Sequence, residues 1–181
     1  MANDRAMSQD VRIETERLIL VPLDRGWRQD LVRLHRDPVV AHWLFPNGAP
    51  PEADDDKRIA HYEDLWNSRG YGCFAVIDKM SGVFLGRAGP VETPETGRIE
   101  IVWSLMSTMH SRGLATEAAR ASINFTFAHS RLDVLDAYVR PDNTASQRVA
   151  GKLGYRLIDQ RFLYAMTLNY YMLERARSGT R

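Results

Sequence analysis

Residues 107–122 read STMHSRGLATEAARAS, and they directly follow a strand-like run, RIEIVWSL, at 98–105. The stretch begins as a loop and becomes an alanine-rich helix, with Gly113 where the chain changes character. A helix that opens straight out of a strand leaves its first-turn N–H groups unpaired and pointing outward. Together with the helix dipole these groups make an anion site, and small side chains such as Ala115 let a phosphate reach the backbone. Arg112 adds a positive charge nearby. Simple packing of a strand against a helix is the plain alternative. No Gly-Lys-Ser/Thr follows, so this is not a nucleotide-triphosphate loop. Ala115 and Ala118 stand where G-x-G-x-x-G would have its second and third glycines, which disfavours a nicotinamide dinucleotide. A pyrophosphate remains the candidate ligand.

Working outward, VRIETERLILVPL (11–23) reads as an opening strand that stops at Pro22. Asp24 is placed to cap a helix over about 25–36, whose Trp27, Leu31 and Leu34 form one buried stripe. HWLFPNGAPPEADDD reads as a loop leading into a second helix, with Asp54, Asp55 and Asp56 in its first turn. That helix carries Ile59, Tyr62 and Trp66 inward and ends at Gly70. Residues 71–105 contain three strand-like runs separated by DKMSG and ETPETG, an antiparallel meander. After the helix at about 113–129 come a strand, LDVLDAYVR, a short helix opening at Asn143, and two last strands, GYRLIDQRFLY and about 165–175. The fold class is α/β (α+β): one domain over 11–175, with a mixed, mostly antiparallel sheet of about seven strands and about four helices. Residues 1–10 and 176–181 read as polar tails.

The bulk numbers exclude several classes. Apolar residues make up 44% and charged residues 26% of 181, ordinary for a soluble domain. A net charge of +1 gives no basic excess for nucleic acid or an anionic membrane surface. MANDRAMSQD lacks an apolar signal core, and no run approaches a membrane span. Cys73 is the single cysteine, so no internal disulfide forms and a reducing, cytoplasmic compartment fits. Alternation with Tyr71, Ala75 and Ile77 makes it a small buried hydrophobe rather than a nucleophile. The five histidines show no H-x-x-x-H spacing, so no metal is expected.

A second constellation, RPDNTASQRVAGKLGYRL at 140–157, places Asn143 as an N-cap after Pro141 and Ser146 one turn into a short helix that closes at Gly154. With this stretch in hand, the sequence resembles the GNAT superfamily of acetyl-CoA-dependent N-acetyltransferases, most closely the branch that acetylates ribosomal-protein N-termini. The family's pyrophosphate motif is Q/R-x-x-G-x-G/A, and HSRGLA at 110–115 matches it except that His110 replaces Gln/Arg. ATEAA, PDNTASQRVAGKLGYRL and IETERLILVPL are similar to further signatures of that branch.

The resemblance implies a sheet splayed between its fourth strand, RIEIVWSL, and its fifth, LDVLDAYVR, with the pantetheine arm of acetyl-CoA in the gap. By that analogy Ser104, Leu105 and Met106 contact the arm, and one backbone N–H near Ser104 polarises the thioester carbonyl. The backbone from Ser111 through Arg112, Gly113, Leu114 and Ala115 to Thr116 meets the pyrophosphate. His110 faces the phosphates, and Asn143 holds the arm or fixes the splay. Glu100 is the candidate base, on the strand face of Val102 and Ser104, with pairing to Arg98 as its plain alternative. Ser146 is the candidate general acid at the cofactor thiol, ahead of Tyr155. His42, Trp43 and Phe45 are placed to line an acceptor mouth, while core packing is the plainer reading of the aromatics, Trp66 and Trp103 included.

The acceptor so implied is a primary amine. Neutralising a lysine at pH 7.4 costs about 4 kcal/mol, against well under ~1 for an N-terminus, which favours the α-amino group of a protein or peptide. A small-molecule amine (antibiotic or polyamine) and a non-catalytic acyl-CoA-binding module are the alternatives. Members of the family often dimerise, which adds a homodimer to the expectations.

Overall fold

The computed structural model describes residues 11–176; the tail assigned to 1–10, and all but Ala176 of the one assigned to 176–181, lie outside the described residues. Eight strands form one sheet: β1 (Ile13–Glu14), β2 (Leu18–Pro22), β3 (Phe74–Asp78), β4 (Phe84–Glu92), β5 (Ile99–Leu105), β6 (Val134–Val139), β7 (Arg156–Leu163) and β8 (Met166–Glu174). Their spatial order is β1-β2-β3-β4-β5-β6-β8-β7, antiparallel throughout except for β5 and β6. The helices are α1 (Arg28–Arg36), α2 (Pro38–Leu44), α3 (Glu52–Arg69), α4 (Leu114–Ala128) and α5 (Thr144–Leu153).

The opening strand expected over 11–23 is a hairpin, pairing Ile13 with Leu20, so the sheet has eight strands rather than seven. Its turn is held by Thr15, whose backbone N–H donates to the Leu18 carbonyl and whose hydroxyl accepts from the Leu18 N–H. Asp24 does cap, accepting from the Gly26 N–H at 2.9 Å, but the turn it starts is 3-10 and becomes α-helical only at Arg28. The fifth helix, α2, replaces part of the expected loop. Its start carries its own signal, Asp37 before Pro38: the aspartate accepts from the Val39 and Val40 N–H groups, and proline suits the first helical position. The other Asp37 oxygen accepts from the Ser107 N–H at 2.9 Å, which ties α2 to the end of β5.

Three clusters make up the core on the two faces of the sheet, one of them packing Leu18, Phe74 and Val76 under Leu114 and Ala118 of α4. On one face α1 and α3 bury Leu31, Leu34, Ile59 and Tyr62 against Cys73, Ala75 and Val91, so Cys73 is the buried hydrophobe its pattern indicated. On the other, α4 and α5 bury Ala119, Ile123, Ala150 and Leu153 against Ile99, Ile101 and Leu135. Alternation along β5 therefore sends Ile99, Ile101 and Trp103 toward α4 and α5, and Glu100 and Val102 toward α1 and α3. Between α1 and α3, His35 Nδ1 meets Asp55 Oδ1 at 2.6 Å in full burial, and burial pushes the imidazole down to about 4, so it is neutral at pH 7. Asp55 thus points inward rather than serving only as charge at a helix start.

Candidate active site

β5 and β6 share a single register contact, Glu100 with Asp136, and then part. Every other pair of long neighbours in the sheet is paired at four positions or more, with a register shift in β3–β4 and in β7–β8. Parting leaves the edge of β5 beyond Glu100 without a strand partner, and a cavity of about 1100 Å³ opens there. It is lined by β5 from Glu100 to Leu105, by the start of α4, by α5 and by the α2–α3 side.

The parity of the ladder sets which backbone groups face the gap. Met106 N–H donates to the Leu85 carbonyl on β4 at 2.8 Å. Because hydrogen-bonding direction alternates along an antiparallel strand, Ser104 turns the same way, and Trp103 and Leu105 face the opening. The Met106 N–H expected to contact a cofactor arm is thus already used within the sheet, and Met106 is not among the cavity-lining residues. The Leu105 carbonyl meets His110 Nε2 at 2.9 Å. His110 therefore braces the loop back onto β5 while still lining the cavity.

At the start of α4, Ser111 (φ 60°) and Gly113 (φ 78°) adopt left-handed conformations, which bend the loop sharply into the helix. Glycine carries no steric cost there, whereas a Cβ costs roughly 1–2 kcal/mol. No side chain caps this helix, and its first internal bond is Glu117 N–H to the Gly113 carbonyl. The N–H groups of Leu114, Ala115 and Thr116 precede that bond, and all three residues line the cavity with Ser111 and Gly113. Arg112 does not line it; its guanidinium turns toward Met109. Arg148 and Lys152 of α5 put positive charge on the wall instead. Glu117, the one acid of the first turn, accepts from Thr15 Oγ1, Arg17 N–H and Arg17 Nε, so it ties the β1–β2 hairpin down and leaves the anion site clear.

α5 begins differently. Asn143 Oδ1 accepts from the Ser146 N–H at 3.0 Å, so Asn143 is the N-cap, and the residue lines the cavity. The Ser146 hydroxyl accepts from Trp103 Nε1 at 3.0 Å across the gap between α5 and β5. With its lone pair so engaged, that hydroxyl has its own hydrogen to donate. Tyr155 is core, its hydroxyl donating to the Asp136 carbonyl at 3.4 Å.

Glu100 is 5% exposed and lies at the fork of the two strands. Arg98, its plain alternative partner, instead grips Asp136 in bidentate fashion at 2.5 and 2.7 Å. Burial pushes the Glu100 carboxyl up to about 7, opposed by a hydrogen bond from the Tyr164 hydroxyl and by the positive charge of Arg87. Tyr164 was not legible as a site residue: it reads as the end of a strand. It and Ala165 form the two-residue turn between β7 and β8, both with positive φ (53° and 57°) and neither a glycine. Such conformations in ordinary residues are uncommon, and this one aims a phenol into the cavity.

Trp43 and Phe45 line the α2 side of the cavity beneath Arg140 and Arg58, whose guanidinium carbons lie 5.6 and 5.0 Å from the ring centres. Trp66 is core and His42 lies outside the lining. Among the described residues there is no group of three His, Cys, Asp or Glu side chains that could hold a metal, and no helix long and apolar enough to cross a membrane.

A forked sheet, an uncapped helix start at the fork and a buried carboxylate opposite a donating hydroxyl define an acyl-transfer site of the acetyltransferase type. Residues 17–156 match the acetyltransferase (GNAT) domain family, and the chain belongs to that family. It is an N-acetyltransferase by family. Among relatives, it is 36% identical over 106 residues to the uncharacterized protein YkkB of Bacillus subtilis, a match spanning 55% of this chain and 62% of that protein. The uncharacterized N-acetyltransferase YjdG of the same organism is 24% identical over 152 residues, 81% of this chain and 90% of that one. An acetyltransferase structure from Agrobacterium tumefaciens superposes with a TM-score of 0.80 at 24% identity, over 91% and 95% of the two chains. The fold is shared with the ribosomal L7/L12 α-N-protein acetyltransferase RimL in complex with coenzyme A (TM-score 0.73, 17% identity, 91% and 98%). It is also shared with AAC(6')-Ib in complex with ribostamycin and coenzyme A (TM-score 0.71, 15% identity, 91% and 99%).

Proposed function

We propose that this enzyme moves the acetyl group of acetyl-CoA directly to the α-amino group of a protein or peptide, as a member of the ribosomal-protein N-terminal branch. The observation that carries the reading is Glu100: a buried carboxyl raised to about 7, at the fork of β5 and β6. A base of that strength lies about one pKa unit below an α-ammonium, a gap of ~1.4 kcal/mol, and more than three units below lysine, about 5 kcal/mol. The charge of the wall points the same way. Six lysines and arginines line the cavity against three carboxylates, Asp54, Glu92 and Glu100. Asp54 is paired with Lys57, and Glu92 with Arg69. Such a wall repels a polycationic aminoglycoside or polyamine.

In this mechanism the free N–H groups of Leu114, Ala115 and Thr116 hold the pyrophosphate of coenzyme A, with Ser111 and Gly113 shaping the cradle. The Leu105 N–H, next to Ser104 and turned to the gap, takes the polarising role at the thioester carbonyl. Glu100 accepts a proton from the incoming ammonium, and the neutral amine attacks. Ser146, its oxygen held by Trp103, gives its hydrogen to the departing sulfur and takes back the proton that the newly acetylated nitrogen sheds, while Glu100 returns its own proton to solvent. Asn143 fixes the start of α5 and thereby the position of Ser146.

Thiol release from acetyl-CoA across N-terminal peptides, lysine peptides, polyamines and aminoglycosides tests the reading. The expected result is turnover on N-terminal peptides, with Ser146→Ala lowering kcat by about 10²-fold at unchanged coenzyme A affinity. Preferential turnover of aminoglycosides or polyamines would overturn the acceptor assignment while leaving acetyl transfer in place.

A further inference from the structure

Arg87, on β4, is 7% exposed and lines the cavity, on the face of the sheet turned to α1 and α3. It stands opposite Ser104 in the ladder, while Glu100 stands opposite Val91 farther along the same pair of strands. Other arginines of this wall are engaged: Arg58 lies 3.5 Å from Asp55, and Arg140 lies 3.3 Å from Asp142 and donates to the His42 carbonyl. Arg87 differs. Its Nε is buried without a hydrogen-bond partner, and its guanidinium carbon rests 5.9 Å from the centre of the Tyr62 ring, which offers a π-face and no full charge. A guanidinium taken out of water with so few bonds is costly to the fold unless an anion completes the pair. A planar fork of unused donors fits a carboxylate in two parallel bonds. Among the described residues, the one carboxylate at the reacting end of this face is Glu100, and that group takes its hydrogen bond from Tyr164.

We propose that Arg87 is the anchor for a carboxylate carried by the acceptor itself, so that the substrate class is a primary amine with an acid group a few bonds away. The proposal rests on the reading of Glu100 as the proton acceptor for that amine. Amine at Glu100 and carboxylate at Arg87 then orient the acceptor across β4 and β5, and selectivity arises because a neutral isostere leaves the guanidinium unpaired. Two sources supply this chemistry: the α-carboxylate of a free amino acid, and an acidic second residue at a peptide N-terminus.

Matched pairs separate them. Initial rates are measured on alanine against alaninamide, and on Ala-Glu-NH2 against Ala-Gln-NH2, with wild type, Arg87→Lys and Arg87→Met. The expected result is a kcat/KM at least about tenfold higher for the acid of one pair in wild type, falling to a ratio of about one in Arg87→Met, with Arg87→Lys between them. Arg87→Met should melt at or above the wild-type temperature, since it removes a buried charge. Equal rates on acid and amide in wild type, or an equal loss on both in Arg87→Met, would overturn the proposal. Calorimetric titration of the coenzyme A-loaded protein with the same four compounds needs no turnover. Acid-selective binding that Arg87→Lys weakens supports the anchor even if acetyl transfer fails, and absence of any acid preference in binding sinks the anchor alone.

Discussion

Glu100 and Asp136 are neighbours at the single contact between β5 and β6, and both are buried, yet the protein treats them in opposite ways. Asp136 is clamped: Arg98 holds both its oxygens, and the Tyr170 hydroxyl donates to one of them at 3.0 Å. Glu100 has one phenol and no cation in contact, with the negative charge of Asp136 beside it raising its pKa further. The same residue chemistry at one strand contact thus gives a strut and the carboxyl we propose as the proton acceptor. What separates them is the partner set: Arg98 meets both oxygens of Asp136, whereas Glu100 is buried with no cation in contact and burial raises its carboxyl to about 7.

Breaking the reactive member should have the largest effect. Glu100→Gln removes the proton acceptor and is expected to lower kcat/KM by about 10²- to 10⁴-fold, with coenzyme A affinity retained in calorimetry. In wild type, kcat/KM should rise with pH through about 7, because the base works when deprotonated. A flat profile between pH 5.5 and 8.5 would remove Glu100 from that role.

Stability should invert the ranking. The folded Glu100 pKa lies above its ordinary value, so below pH 4.5 the group is neutral in both states and costs nothing. As pH rises from there through about 7, the unfolded chain gains from ionising and the folded one does not, and stability falls by about 3 kcal/mol. Glu100→Gln should therefore be more stable than wild type at pH 8 and equal to it at pH 4 in urea unfolding. Asp136→Asn should do the reverse at neutral pH, costing about 1–3 kcal/mol, a range kept low because the Arg98 side chain is 45% exposed and water can resolvate it. If the two variants shifted stability in the same direction at pH 8, the contrast between strut and reactive group would be lost.

Part of this contrast was open to a reader of the sequence. Glu100 stands out as a carboxylate inside an apolar strand, and alternation alone puts it on the face of Val102 rather than that of Ile101. That Arg98 would choose Asp136 was not legible, since the choice depends on a parallel register between strands 30 residues apart in the chain. The α4 start was readable from its glycine and small residues, because an uncapped helix after a strand is a local event. Its neighbouring charge was not: Arg112 is adjacent in sequence but turned to Met109, while Arg148 and Lys152 arrive from another helix. Asp37-Pro38 carried the signal for α2 in plain view as an N-cap and a first-turn proline. Tyr164 carried none: it reads as the last residue of a strand, and nothing local shows that a left-handed turn would aim its phenol at Glu100.

That turn supplies the smallest test of the comparison. The Tyr164 hydroxyl donates to Glu100 and so stabilises its charged form, holding the carboxyl below where burial alone would leave it. Tyr164→Phe keeps the ring and removes the donor. The Glu100 pKa should then rise, and the acid limb of the pH–rate profile should move to higher pH, with kcat/KM at pH 6 falling by about tenfold, roughly 1.4 kcal/mol for one hydrogen bond to a charged group. The deficit should shrink as pH rises past the limb. A residue that merely shaped the β7–β8 turn would lower the rate evenly at all pH values, so the pH dependence of the loss, measured from pH 5.5 to 9, separates a group that tunes the carboxylate from one that only holds the hairpin. A limb displaced to lower pH would mean that the phenol stabilises the neutral acid rather than the carboxylate.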